Sequence, residues 1–125
     1  HLSMSDMVNH PLHYNMFPDG FTAECIEYAR LLGFAQGNAF KYIYRAGFKG
    51  DWREDLDKAM FCLNDLSKSG LYANTAYTFL HAPTIHSGAS LRAMAGKAVL
   101  YSTDETIHLA MGAVSVFYDS LKETA

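Results

Sequence analysis

The chain has 125 residues, 50% of them hydrophobic and 14% aromatic, with a formal charge of -3 and a pI near 6.0. Length and apolar content suffice for one domain with its own core and exclude a disordered polar chain or a scaffold that depends on disulfides. The slightly negative balance excludes general attraction to duplex nucleic acid or to an anionic membrane, so any anion site has to be local.

His1 to Ser3 precede Met4 and have neither the basic start nor the apolar stretch of a signal peptide. They read as a cloning remnant, with Met4 the natural start of a single helical domain spanning residues 4–125. Residues 5–20 hold Asn9-His10-Pro11-Leu12-His13-Tyr14 and then Pro18-Asp19-Gly20. Two prolines and a turn signal exclude a long helix and predict an irregular arm. His10 and His13 could approach one ligand together. Hydrogen bonding to a phosphate, a base or the backbone suits them better than a metal, which needs further ligands from elsewhere.

From Thr22 the pattern turns helical, with Cys25, Ile26, Ala29 and Leu32 as an apolar stripe, Thr22 as cap and Gly33 as stop. Glu24 and Glu27 share the other side. Phe34 to Gly37 reads as a short link, and a second helix opens at Asn38 and stops near Gly47. There Asn38, Lys41, Tyr42 and Arg45 fall at i, i+3, i+4 and i+7 on one face, while Phe40, Ile43 and Tyr44 point to the core. An amide, an ammonium, a phenol and a guanidinium side by side have the donors to hold a phosphorylated anion. A solvated polar helix face accounts for the same spacing. Gly47-Phe48-Lys49-Gly50 is then a tight loop with a basic residue inside it.

Asp51-Trp52-Arg53-Glu54 has capping-box spacing and begins the clearest helix, with Leu56, Ala59, Met60, Leu63 and Leu66 buried and Gly70 as its end. Glu54 and Lys58 are an i,i+4 pair. A short helix is expected within Leu71 to His81, and a loop from Ala82 to Gly88. Two more helices follow, one from Ser90 to Tyr101 and one capped by Ser102-x-x-Glu105 with Ile107, Ala110, Met111, Val114, Phe117 and Leu121 inside. No strand pattern appears. The expectation is an all-α, compact domain of about five helices with an irregular N-terminal arm.

Cys25 and Cys62 have no C-x-x-C spacing, so they read as buried thiols in a reducing cytoplasm. The apolar run from Leu109 to Tyr118 is about half the ~20 residues a membrane span needs. His81, His86 and His108 read as structural or solvent-facing, and Ser90 and Ser102 as caps.

Val8-Asn-His-Pro-Leu-His-Tyr14, Glu24-Cys-Ile-Glu27, Gly37-Asn-Ala-Phe-Lys-Tyr-Ile-Tyr-Arg-Ala-Gly47, Lys49 and Glu54-Asp-Leu-Asp-Lys-Ala59 occur in that order. Together these blocks resemble a family of small tailed-phage and prophage proteins of mostly unknown function. That family includes a coliphage deoxynucleoside monophosphate kinase. The resemblance spans roughly residues 6–68 and leaves residues 71–125 as additional C-terminal helices. It implies a phage or prophage protein of the bacterial host cytoplasm, and it nominates His10, His13, Tyr14, Asn38, Lys41, Tyr42, Arg45, Lys49 and Asp55 as a shared polar set. No Gly-x-x-x-x-Gly-Lys-Ser/Thr loop is present, so phosphates would be held by another route.

Three functions compete at this point. In a nucleotide kinase, Lys41, Arg45 and Lys49 would hold phosphates and Tyr14 or Tyr42 would stack on the base. Glu54 or Asp55 would hold Mg2+ or orient the acceptor, with ATP as the phosphoryl donor. In an all-α nucleoside triphosphate pyrophosphohydrolase, Glu24-x-x-Glu27 and Glu54-x-x-Asp57 would hold Mg2+. Acids at a helix start also simply complement the helix dipole. The third function is a non-enzymatic module binding a nucleotide or a host factor, or a homo-oligomer assembled through the plentiful apolar residues. Nucleotide kinase-like activity is the favoured expectation, with neither duplex nucleic acid nor membrane as partner.

Overall fold

A computed structural model describes residues 17–124. Its helices are α1 (Cys25–Ala29), α2 (Phe34–Arg45), α3 (Trp52–Ser69), α4 (Thr75–His81), α5 (Leu91–Leu100) and α6 (Ile107–Thr124), with a 3-10 turn at Ser87–Ala89. Among the described residues the fold is all-α without a strand; only an isolated bridge joins Phe21 to Ile85. No helix there is long and apolar enough to cross a membrane.

The helices close around one apolar cluster, to which Thr75–His81 contributes no hydrophobic side chain. Phe40 and Ile43 of α2, Leu56, Leu63 and Leu66 of α3, Val99 and Leu100 of α5, and Val114 and Phe117 of α6 are all buried. The α2 and α3 helices pack most extensively, and α5 with α6 closes the other side. Phe21, in the segment before α1, lies inside an aromatic group. Its ring centroid is 5.8 Å from Tyr28, 5.8 Å from Phe40 and 4.8 Å from Tyr44. Gly96 makes that approach possible, because a Cβ there would come within 2.7 Å of the Phe21 ring.

Several local expectations are corrected. Thr22 caps nothing: its hydroxyl donates to the Thr84 carbonyl at 2.6 Å, and α1 starts three residues later with Glu24 as N-cap. The helix is over by Ala29, before Gly33, and Tyr28 is its anchor while Ile26 is 55% exposed. Phe34 to Gly37 is no link but the first turn of α2, so Asn38 lies inside that helix. Asp51 caps α3 by accepting from the Arg53 N–H at 2.9 Å, and Glu54 turns outward to Lys58 instead of reaching back.

Ser90 caps α5 as expected, accepting from the Ala93 N–H at 3.0 Å. Ser102 caps nothing. It is buried, donates to the Val99 carbonyl at 2.8 Å and accepts from the Gln36 amide at 3.3 Å. Thr103 and Thr106 shape that turn through a bond from the Thr103 N–H to the Thr106 hydroxyl at 3.0 Å. Gln36 is the polar post of the interior, since it also donates to the Val99 carbonyl and accepts from the Ala73 N–H. With the Leu100 carbonyl at 3.4 Å as a fourth partner its burial is compensated, as a buried amide left without partners would cost on the order of 1–3 kcal/mol.

Candidate functional site

The α2 face read from spacing comes together around Tyr42. Lys41 Nζ lies 4.6 Å from the centre of that ring and the Arg45 guanidinium carbon 5.2 Å. A third cation arrives from α3, with Lys58 Nζ at 5.8 Å. Three positive groups from two helices thus surround one phenol. Sequence reading treated Lys58 only as the surface partner of Glu54. What it lacked was the packing of α2 on α3, which brings the two helix faces side by side.

Arg45 and Lys58 each have an acidic neighbour, but of very different kinds. Arg45 donates through Nε (3.1 Å) and Nη2 (2.9 Å) to Oδ1 of Asp55, whose side chain is 4% exposed. Oδ2 of Asp55 is buried without a hydrogen-bond partner. Both donors fall on one oxygen, so Nη1 of Arg45 is spare and the guanidinium plane is fixed. Lys58 bonds to Glu54 Oε1 at 2.9 Å in open solvent, and this bond and the Glu54 charge hold its ammonium above the ordinary value. Among the described residues the Lys41 ammonium has no such carboxylate.

Asn38 spends its amide N–H on the Phe34 carbonyl at 2.9 Å within the helix. With Lys41 it lines a recess of about 440 Å³ beside Cys25, Arg30, Phe34 and Gly37. Burial pushes the Cys25 thiol up to about 11 against a smaller opposing pull from Lys41. The thiol therefore stays protonated and is no nucleophile. Lys49 is exposed on the loop between α2 and α3, whose Gly47 (φ 87) and Gly50 (φ 74) take left-handed conformations open to glycine. His10, His13 and Tyr14 lie outside the described residues.

The acids nominated for a metal are not gathered. Glu27 Oε2 accepts from the Glu24 N–H at 3.0 Å, and the two residues form the capping box of α1. Glu54 is engaged with Lys58, and Asp57 is exposed. Among the described residues, no three His, Cys, Asp or Glu side chains form a group that could hold a metal ion. In this arrangement the two acidic pairs have roles in helix structure. Helix capping accounts for Glu24 and Glu27, and the outward-facing start of α3 for Glu54 and Asp57.

Arg92 is a further charged group that the spacing did not single out. It stands two residues past the Ser90 cap, and only the fold shows what it reaches. Its Nη1 donates to the carbonyls of Ile43 (2.7 Å) and Tyr44 (3.1 Å) in the last turn of α2. A cation at that end complements the helix dipole and occupies carbonyls. The C-terminal turn of α2 is therefore held in place by α5, which fixes Arg45 next to it.

One family model matches the chain, over residues 8–64, a little under half of its length, and is described as a protein of unknown function, DUF3310. The match falls on the stretch that supplies α1, α2, most of α3 and the cations around Tyr42, and its description carries no activity. No curated protein and no solved structure matches the chain.

Proposed function

We propose that the chain binds the phosphate of a nucleotide on the face formed by Lys41, Tyr42, Arg45 and Lys58, and acts as a kinase on deoxynucleoside monophosphates. The observation that carries the binding is the convergence of three cations within 5.8 Å of the Tyr42 ring, of which Glu54 and Asp55 offset only two. Like charges held this close repel, and an anion seated among them relieves that repulsion. Arg45 would present its spare Nη1 in an orientation fixed by Asp55, and the two lysines would act as point charges. Asp55 is a positioning residue here, since its carboxylate is buried behind the guanidinium.

The transfer step rests on the resemblance of residues 6–68. A phosphate oxygen of the monophosphate attacks the γ-phosphorus of ATP while the bond to the β,γ-bridging oxygen breaks, giving the deoxynucleoside diphosphate and ADP. Such chemistry asks of the protein mainly positioning and charge neutralisation, which this face supplies.

The test is incubation of the chain with labelled deoxynucleoside monophosphate plus ATP and Mg2+, and separately with deoxynucleoside triphosphate alone. Labelled diphosphate from the first mixture, lost in Lys41→Met, is the expected result. Pyrophosphate from the second would replace the kinase reading with hydrolysis. Saturable binding without turnover in either would reduce the function to a binding module.

A further inference from the structure

A second recess, of about 510 Å³, opens between the segment at Phe17, the Phe48 loop, the start of α5 and the end of α6, and shares no lining residue with the Tyr42 face. Its walls are mainly apolar, with Phe17, Phe48, Leu91 and Phe117 contributing, and its cation is Arg92. The Arg92 guanidinium carbon lies over two rings, 4.6 Å from the centre of Phe48 and 4.9 Å from that of Phe117. Both hydrogens of Nη1 are committed to the α2 carbonyls. Nε and Nη2 make no hydrogen bond to any of the described residues.

Among the described residues Arg92 has no carboxylate at salt-bridge distance. Asp19, also on the wall, attracts it only from farther away. Burial outweighs that attraction and brings the Arg92 pKa down to about 10, so the group is charged at neutral pH and under-compensated. The hydroxyls on the wall are already spent: Ser90 donates to the Asp19 carbonyl and Ser120 to the Phe117 carbonyl. What the recess offers a ligand is therefore one forked pair of N–H donors beside the rings of Phe48 and Phe117.

We propose that this recess binds a small organic anion, an oxyanion of the carboxylate or phosphate monoester kind carried on an aromatic body. The oxyanion takes the fork formed by Nε and Nη2 of Arg92, and the body lies against Phe48 and Phe117. A guanidinium edge binds two oxygens of one planar or tetrahedral anion at once, which an ammonium cannot. Apolar walls strengthen that contact by excluding water from it. The proposal is independent of the nucleotide reading, because it uses none of Lys41, Arg45 or Lys58.

The experiment follows the Arg92 Nε–H signal by NMR in the full chain during titration with benzoate, phenyl phosphate and, as neutral control, benzyl alcohol. Both anions, or one of them, should move that signal saturably together with the ring signals of Phe48 and Phe117, while benzyl alcohol leaves it in place. Which anion binds more tightly identifies the carboxylate or the phosphate as the preferred head group. Arg92→Lys keeps a donor for the α2 carbonyls and should weaken binding about tenfold or more, since the fork is lost. If that variant does not fold, Phe48→Ala, at an exposed position, should weaken binding severalfold with the Arg92 signal still responding. A silent Arg92 signal, an equal response to benzyl alcohol, or shifts confined to Lys41 and Lys58 would overturn the proposal.

Discussion

Arg45 and Arg92 both act at the C-terminal turn of α2, and they are neutralised in opposite ways. Arg45 meets a buried carboxylate with two of its donors, whereas Arg92 meets two backbone carbonyls with one of its nitrogens. The first arrangement is a closed ion pair whose partner cannot be removed without stranding a charge. The second fixes the arginine through partial charges and leaves its remaining edge available. A cation bound to carbonyls is thus the better receptor for an incoming anion, while a cation bound to a carboxylate is the better structural post. On the Tyr42 face this moves attention from Arg45 to Lys41, which no carboxylate of the described residues holds.

The largest effect should come from opening the closed pair. Arg45→Ala leaves Asp55 buried with neither oxygen satisfied and should cost about 3–5 kcal/mol in denaturant unfolding. The double variant Arg45→Met/Asp55→Leu should recover most of that loss, because an apolar pair of similar size removes both charges together. A double variant as unstable as the single one would show that the pair is not the source of the cost. Loss of activity in Arg45→Ala alone therefore says little about substrate binding.

Arg92→Ala should destabilise by a smaller amount, about 1.5–3 kcal/mol, since it removes two charge-assisted hydrogen bonds and strands no carboxylate. Hydrogen exchange should localise the change to the last turn of α2 and the loop after it. If Arg92→Ala cost as much as Arg45→Ala, the contrast between the two arginines would fail.

The helices were legible in the sequence wherever apolar spacing decided them. Leu56, Leu63 and Leu66 of α3 and Val114 and Phe117 of α6 lie buried where their spacing put them. What spacing could not show were contacts between distant segments. Thr22 and Ser102 have the chemistry of caps, yet tertiary partners at Thr84, Val99 and Gln36 claim their hydroxyls. Phe21 lies outside any periodic segment, so nothing in its neighbourhood announced the aromatic group it joins. The shared face of Lys41, Tyr42 and Arg45 was readable from helical geometry within α2. The arrival of Lys58 and Arg92 was not, because each depends on how another helix docks. Glu24 and Glu27 show the converse: a spacing that suits metal ligation also forms the capping box that starts α1, a use the spacing alone does not distinguish.

A weaker effect separates Lys41 from both arginines. Lys41→Met should change unfolding free energy by no more than about 0.5 kcal/mol, as expected for a partly exposed side chain outside the ion pairs of the described residues. It should nevertheless lower nucleotide affinity about tenfold if its ammonium bears on a phosphate. The smallest effect concerns the neighbouring thiol. With its pKa raised from 9.0 to about 11 by burial, Cys25 should resist iodoacetamide at pH 8 and react only as the pH climbs toward 11. The sign for stability follows: the contribution of the protonated thiol is fully present below pH 9.0 and is lost as pH rises toward 11. Rapid alkylation of native Cys25 at pH 8 would mean that the recess beside Lys41 is more open than described.

The most direct measurement of the central claim is calorimetric titration of the native chain and of Lys41→Met with a deoxynucleoside monophosphate, at two salt concentrations. The account predicts saturable binding to the native chain that weakens as salt is raised, and a loss of about tenfold in Lys41→Met with its unfolding curve unchanged. Binding of equal strength in the two proteins, or none to the native chain, would contradict the assignment of the Tyr42 face as a phosphate site.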